Sequence, residues 1–204
     1  MKIALFGATG KTGTLVLNNL LAKSHTVTAL VRTPAKMTIT SPQLKLIQGD
    51  TLVLSDVERA LEGCDAVISV LGLPSLKPST ILTTSVGNIA AAMKTKGVKR
   101  VISMGSAGIL NEMSGLPGLI IGFILRNVLK DHRGAYKILH DSPLEWTVVR
   151  PLTLTDGVAT GRYRISETGL PKNARSISRA DVAAFIVQTL EQGSYLRQSP
   201  AIAD

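Results

Sequence analysis

Cysteine is all but absent: Cys64 stands alone in 204 residues, so no disulfide can form within the chain, and a reducing compartment is expected. Aromatic residues are nearly as scarce. Three Phe, three Tyr and one Trp are too few rings for a surface that stacks nucleic-acid bases. Acidic residues fall short of basic ones, 14 against 23, for a net charge of +9. The Lys and Arg residues are scattered along the chain, so the excess points to solubility and attraction of small anions, with no specific nucleic-acid partner. A long apolar run is also missing. The most apolar stretch, residues 116–125, is closed by Arg126 and falls short of the roughly 20 residues that cross a bilayer. A buried or dimer-contacting helix is expected there, with a membrane-surface or substrate-lid helix as the alternative.

No linker, charge block or repeat interrupts the chain, and a 45% apolar share excludes disorder, so residues 1–204 are expected to form one domain. No charged leader with an apolar core precedes the strand-like residues 2–6, and a cytoplasmic location is expected.

Short β-branched runs alternate with longer amphipathic ones. Strands are expected near residues 2–6, 26–31, 44–48, 66–71, 100–104 and 146–150, and helices near 11–23, 55–62, 78–96, 131–140 and 179–192. Regular alternation implies an α/β fold: a doubly wound parallel sheet of Rossmann type with helices on both faces. Ligands of such sheets bind beyond the carboxyl ends of the strands, where the sequence places residues 7–13, Arg32, Asp50, Leu71 with Gly72, Ser106 and residues 150–153.

The glycines carry the first chemical signal. Gly7, Gly10 and Gly13 form Gly-x-x-Gly-x-x-Gly between a strand and a helix, where a tight turn lets the backbone approach a pyrophosphate and the positive end of the helix attracts it. Thr9 and Thr12 add hydroxyls to that loop and Lys11 a positive charge. About twenty residues further on, NAD-preferring proteins place a carboxylate on the ribose 2′-hydroxyl. Here the residue is Arg32, which is suited to a 2′-phosphate, with Lys36 near enough to assist, so NADP(H) is the expected cofactor. Asp50 either hydrogen-bonds the adenine or closes a turn.

These motifs, together with residues 65–68, Asn88-Ile89, Ser106-Ala107, Asp131-His132 and Lys137, resemble the atypical short-chain dehydrogenase/reductase group. Within that group they resemble the NADPH-dependent flavin reductase (biliverdin-IX-beta reductase) branch over nearly the whole chain. The resemblance implies that Gly7, Thr9, Gly10 and Thr12 cradle the pyrophosphate and that Arg32 and Lys36 take the 2′-phosphate. It also implies that Asp50 and Thr51 border the adenine, that Leu71 and Gly72 flank the cofactor, and that Ser106 lies beside the nicotinamide. Two departures stand out. Thr153 occupies the place of a substrate-bordering histidine, so no acid role for that histidine carries over. Tyr136 and Lys137 are adjacent, whereas the Tyr-x-x-x-Lys pair needs one helical turn between them, since successive helix residues point about 100° apart.

Three functions fit this pattern. The first is a reductase passing hydride from NADPH to a small planar acceptor such as a flavin, bilin or quinone, with Ser106 orienting the acceptor and His132 assisting. The second is an NmrA-like NADP(H) sensor without turnover. The third, a sugar-nucleotide epimerase or dehydratase, has little chain after Pro151 to build its substrate lobe. The expected assembly is a monomer or a homodimer.

Overall fold

Alternation along a single strand accounts for the layering. In β1 (Lys2–Phe6), Ile3 and Leu5 enter one core while Ala4 and Phe6 enter the other, and all four are fully buried. The computed structural model describes residues 1–112 and 115–204. On one face of the sheet lie α1 (Lys11–Ala22), through Val16, Leu17 and Leu20, and α6 (Arg179–Gln192), through Val182 and Ile186. On the other lie α2 (Leu54–Ala60), α3 (Ile81–Lys96) and α5 (Arg126–His140), through Val57, Ile89 and Leu139.

The remaining strands are β2 (Thr26–Val31), β3 (Leu44–Gln48), β4 (Ala66–Ser69), β5 (Arg100–Met104), β6 (Glu145–Pro151), β8 (Arg164–Ser166) and β10 (Ala201–Ala203), and the sheet order is β3-β2-β1-β4-β5-β6-β10-β8. Every pairing is parallel except β10 with β8. The carboxyl ends of β1 to β6 therefore share one edge. Strand order reverses between β1 and β4, and the crevice opens at that switch point.

Boundaries depart from the sequence reading where tertiary contacts intervene. The strand expected through residue 71 ends at Ser69, because residues 70–74 peel away to line the crevice. The helix expected from residue 78 starts at Ile81, since its first-turn N–H groups are capped from a different helix. Asp131 Oδ2 accepts from Leu82 N at 3.1 Å, and Oδ1 accepts from Thr83 N at 2.8 Å and Thr83 Oγ1 at 2.7 Å. The helix expected from residue 131 begins five residues earlier, at Arg126.

Four strands of three residues each are too short for periodicity to register: β8, β10, and the separate parallel pair β7 (Thr153–Thr155) and β9 (Ser176–Ser178). Residues 116–125 do fall largely in a helix, α4 (Gly115–Ile124). Its described side chains are largely exposed, Ile120 by 54% and Phe123 by 68%, so of the buried or dimer-contacting helix expected there the buried reading is corrected. The side chains at 116, 117 and 119 lie outside the described ones. Among the described residues, no helix is long and apolar enough to cross a membrane.

Asp131 is buried and its carboxylate holds α5 against the start of α3. Asp131→Ala should lower stability by about 2 kcal/mol, a lost cap plus unsatisfied buried donors, as read by urea denaturation.

Candidate functional site

The glycine loop shows why three glycines are spaced as they are. Gly7 has φ of +90°, and a Cβ on it would approach the Val70 carbonyl oxygen to 2.7 Å, so both the turn and the neighbouring strand end require glycine. A Cβ on Gly13 would overlap the Gly7 carbonyl oxygen, so Gly13 serves the close approach of α1 to the turn. Between them Gly10 N donates to Gly7 O at 3.0 Å, and Gly10 caps α1 without a side-chain hydrogen bond. No acidic residue stands in the first turn of α1. The helix N-terminus thus keeps its positive end for an anion.

Above this turn lies a cavity of about 610 Å3, within the range of a small-molecule site. Of the residues expected from the sequence, Gly7, Thr9, Gly10, Lys11, Thr12, Arg32, Asp50, Thr51, Leu71 and Gly72 all line it. Arg32 is exposed at the end of β2 and makes no hydrogen bond or ion pair to another described residue. Its guanidinium is open to an anionic ligand. Lys36 sits on a single helical turn, Pro34–Lys36, outside the cavity wall.

Asp50 closes a turn while also lining the cavity. Its Oδ1 accepts from Leu52 N at 3.0 Å, and its own N donates to Asp56 Oδ2 at 2.9 Å. Thr51 is pinned by α3, through Ser85 Oγ at 2.8 Å and an Asn88 Nδ2 donation to its carbonyl at 2.9 Å.

Ser106, His132 and Thr153 are not in the cavity wall as described; the wall there is formed by Met104, Leu154 and Ile81. Ser106 Oγ donates to Ala107 O at 3.1 Å, in a stretch held to β6 by Gly105 N to Val149 O and Ala107 N to Pro151 O. Thr153 is exposed, and its strand neighbour Leu154 turns to the cavity in its place. Burial pushes the His132 imidazole down to about 4, against the opposing pull of Asp131. It is neutral at pH 7. His132 can share a hydrogen bond with a ligand but offers an acidic group no charge.

Tyr136 and Lys137 act apart, as their adjacency requires. Lys137 Nζ pairs with Asp141 at 2.6 Å, while the Tyr136 ring packs edge-on against Trp146 at 5.9 Å and burial raises its hydroxyl above the usual value. Nearby, Arg150 is fully buried at the end of β6. It pairs with Glu112 and its Nε donates to Ser199 O at 2.9 Å, so the loop after β5 is tied to the C-terminal segment.

Ile81, Met104, Leu154 and Arg179 also stand in the cavity wall, where no motif in the sequence marks them. The first three read as ordinary apolar positions. Arg179 carried a weak signal as the first residue after the N-cap Ser178, whose Oγ accepts from Asp181 N at 2.9 Å.

The site fits a dinucleotide in its shape and charge: a glycine turn with no room for a Cβ at Gly7 or Gly13, a helix start without a side-chain cap and an open arginine about twenty residues downstream. An NMR titration should find the His132 C2–H shift constant from pH 6 to 8 and changing only near pH 4. A midpoint at the ordinary histidine value would contradict its neutral state.

Residues 7–193 match the family described as NAD(P)H-binding. YMR090W of Saccharomyces cerevisiae is 28% identical, over 93% of this chain and 87% of its own length. The (4-alkanoyl-5-oxo-2,5-dihydrofuran-3-yl)methyl phosphate reductase of Streptomyces griseus is 25% identical, over 92% of this chain and 62% of that enzyme. The solved structure of ChuY, an anaerobilin reductase of Escherichia coli O157:H7, shares the fold with a TM-score of 0.81 at 24% identity, covering 100% of this chain and 97% of that one. Because the family match begins at Gly7 itself and runs through the whole of α6, it takes in both walls of the cavity, and the chain belongs to the NAD(P)H-binding family.

Proposed function

We propose that the protein is an NADPH-dependent reductase acting on a small planar acceptor such as a flavin, a bilin or a quinone. The observation that carries the reading is the make-up of one cavity. At one end stands Arg32 with no described protein partner, and elsewhere its wall is formed by the apolar side chains of Ile81, Met104 and Leu154. An arginine in place of the carboxylate that holds a free 2′-hydroxyl selects NADPH over NADH. Apolar walls suit a flat, delocalised ring.

NADPH supplies a hydride when bound, and a conjugated acceptor can take the accompanying proton from water, so no dedicated acid is required. Ser106 orients the acceptor through its hydroxyl, and neutral His132 assists as a hydrogen-bonding group. Lys36 approaches the 2′-phosphate alongside Arg32. Gly13 completes the cofactor-binding set by letting the helix start come close, while Leu154 stands at the cavity in the place expected for Thr153. The Streptomyces relative, named as a reductase, supports the reductase reading, and the anaerobilin reductase shares the fold in which it is placed. The protein works in the reducing cytoplasm, where a lone cysteine stays a thiol, as a monomer or homodimer.

NADPH oxidation followed at 340 nm against FMN, riboflavin, a bilin and a small quinone should exceed the uncatalysed rate for at least one of them. Tight NADPH binding without turnover on any would instead identify an NADP(H) sensor, a reading favoured by the position of Ser106 and His132 outside the cavity wall. Arg32→Glu should weaken NADPH binding at least tenfold, about 1.4 kcal/mol or more, and leave NADH nearly unchanged. Equal losses for both would remove Arg32 from the 2′-phosphate.

A further inference from the structure

Lys11 of the glycine loop belongs to a group of charges whose other two members, Asp156 and Arg179, lie far along the chain. Asp156, directly after β7, holds two cations with its two oxygens: Oδ2 accepts from Lys11 Nζ at 2.7 Å and Oδ1 from Arg179 Nη1 at 2.5 Å. Lys11 opens α1 and Arg179 opens α6, so this bridge joins the starts of two helices. Both cations line the cavity, whereas Asp156 does not.

We infer that Arg179 is a second grip on the cofactor's pyrophosphate, opposite the glycine loop, and that Asp156 is the counter-ion that Arg179 and Lys11 give up when the pyrophosphate binds. The inference rests on the cofactor binding that belongs to the family and is independent of the proposed reductase activity.

Charge decides the exchange. Two cations against one carboxylate leave an excess of one positive charge, to which the uncapped start of α1 adds its own partial charge. A pyrophosphate carries two negative charges and presents several oxygens to guanidinium and ammonium groups at once. Asp156 is 65% exposed and Lys11 70%, and ion pairs so open to water contribute no more than about 1 kcal/mol each. Asp156 is therefore readily displaced.

Arg179 is the better held of the two cations. Its side chain is 21% exposed, and its backbone follows an N-cap fixed on both sides. Asp181, fully buried, accepts from Ser178 Oγ at 2.8 Å, from Thr160 N at 2.9 Å and from Gly161 N at 2.8 Å. The loop that carries Asp156 is thereby anchored to the same helix start that carries Arg179. Little side-chain freedom remains to be lost on binding, which favours a specific phosphate contact.

The pyrophosphate is common to NADPH and NADH, which separates Arg179 from Arg32. In fluorescence titrations of the full-length protein, Arg179→Gln should weaken NADPH and NADH by the same factor, about tenfold. Arg179→Lys should recover part of that loss for both. Asp156→Asn should tighten both by about two- to fivefold, as expected from removing a weak competing pair. Unchanged binding in Arg179→Gln, a loss confined to NADPH, or weaker binding in Asp156→Asn would each overturn the inference. None of these readouts depends on finding an acceptor, so failure of the acceptor panel and failure of this assignment are told apart.

Discussion

The backbone contact at Gly7 is the constraint on which the remainder of the site depends. Its left-handed turn sits against the carbonyl of Val70 on one side and beneath Gly13 of α1 on the other, with no room for a side chain in either direction. That contact draws the end of β1, the end of β4 and the start of α1 into one place. Only there does a parallel sheet change winding direction, and only there can an uncapped helix start meet a crevice wide enough for a ligand. The apolar layers on both faces of the sheet hold this geometry in place: fully buried Ile3 and Leu5 lock β1 to α1 and α6, and Ala4 and Phe6 lock it to the opposite helices.

Around that fixed point, buried charges position the segments that periodicity does not. Asp131 caps α3 from α5, Asp181 ties residues 160–161 to the start of α6, and Arg150 with Glu112 secures the loop after β5. Each of these groups is hydrogen-bonded on several sides, as a charge removed from water must be. They converge on loops at the carboxyl edge of the sheet. Loops there would otherwise be free to vary, and the buried charges give them a defined shape.

The exposed face of α4 has no counterpart in the core. Its apolar side chains resemble those of a buried helix in composition, yet Ile120, Ile121, Phe123 and Ile124 stand in solvent. Composition alone describes what a helix would bury given a partner surface; it carries no information about whether the fold brings one. The same limit applied to Leu154 and Met104, whose ordinary apolar character gave no hint that they face a ligand cavity.

By itself the sequence determined the sheet, its parallel sense and the cofactor cradle, because these follow from local signals: strand and helix periods, glycines at three-residue spacing and an arginine at the end of the second strand. Ten of the expected cofactor residues, from Gly7 to Gly72, line one cavity for that reason. The tertiary structure alone decided the cap that Asp131 places on α3, the short strands beyond Pro151 and the meeting of Lys11, Asp156 and Arg179. Those residues lie far apart along the chain. No period or motif links them; what brings them together is the packing of α1 against α6 through a shared apolar core, which sets two helix starts and one carboxylate around the same opening.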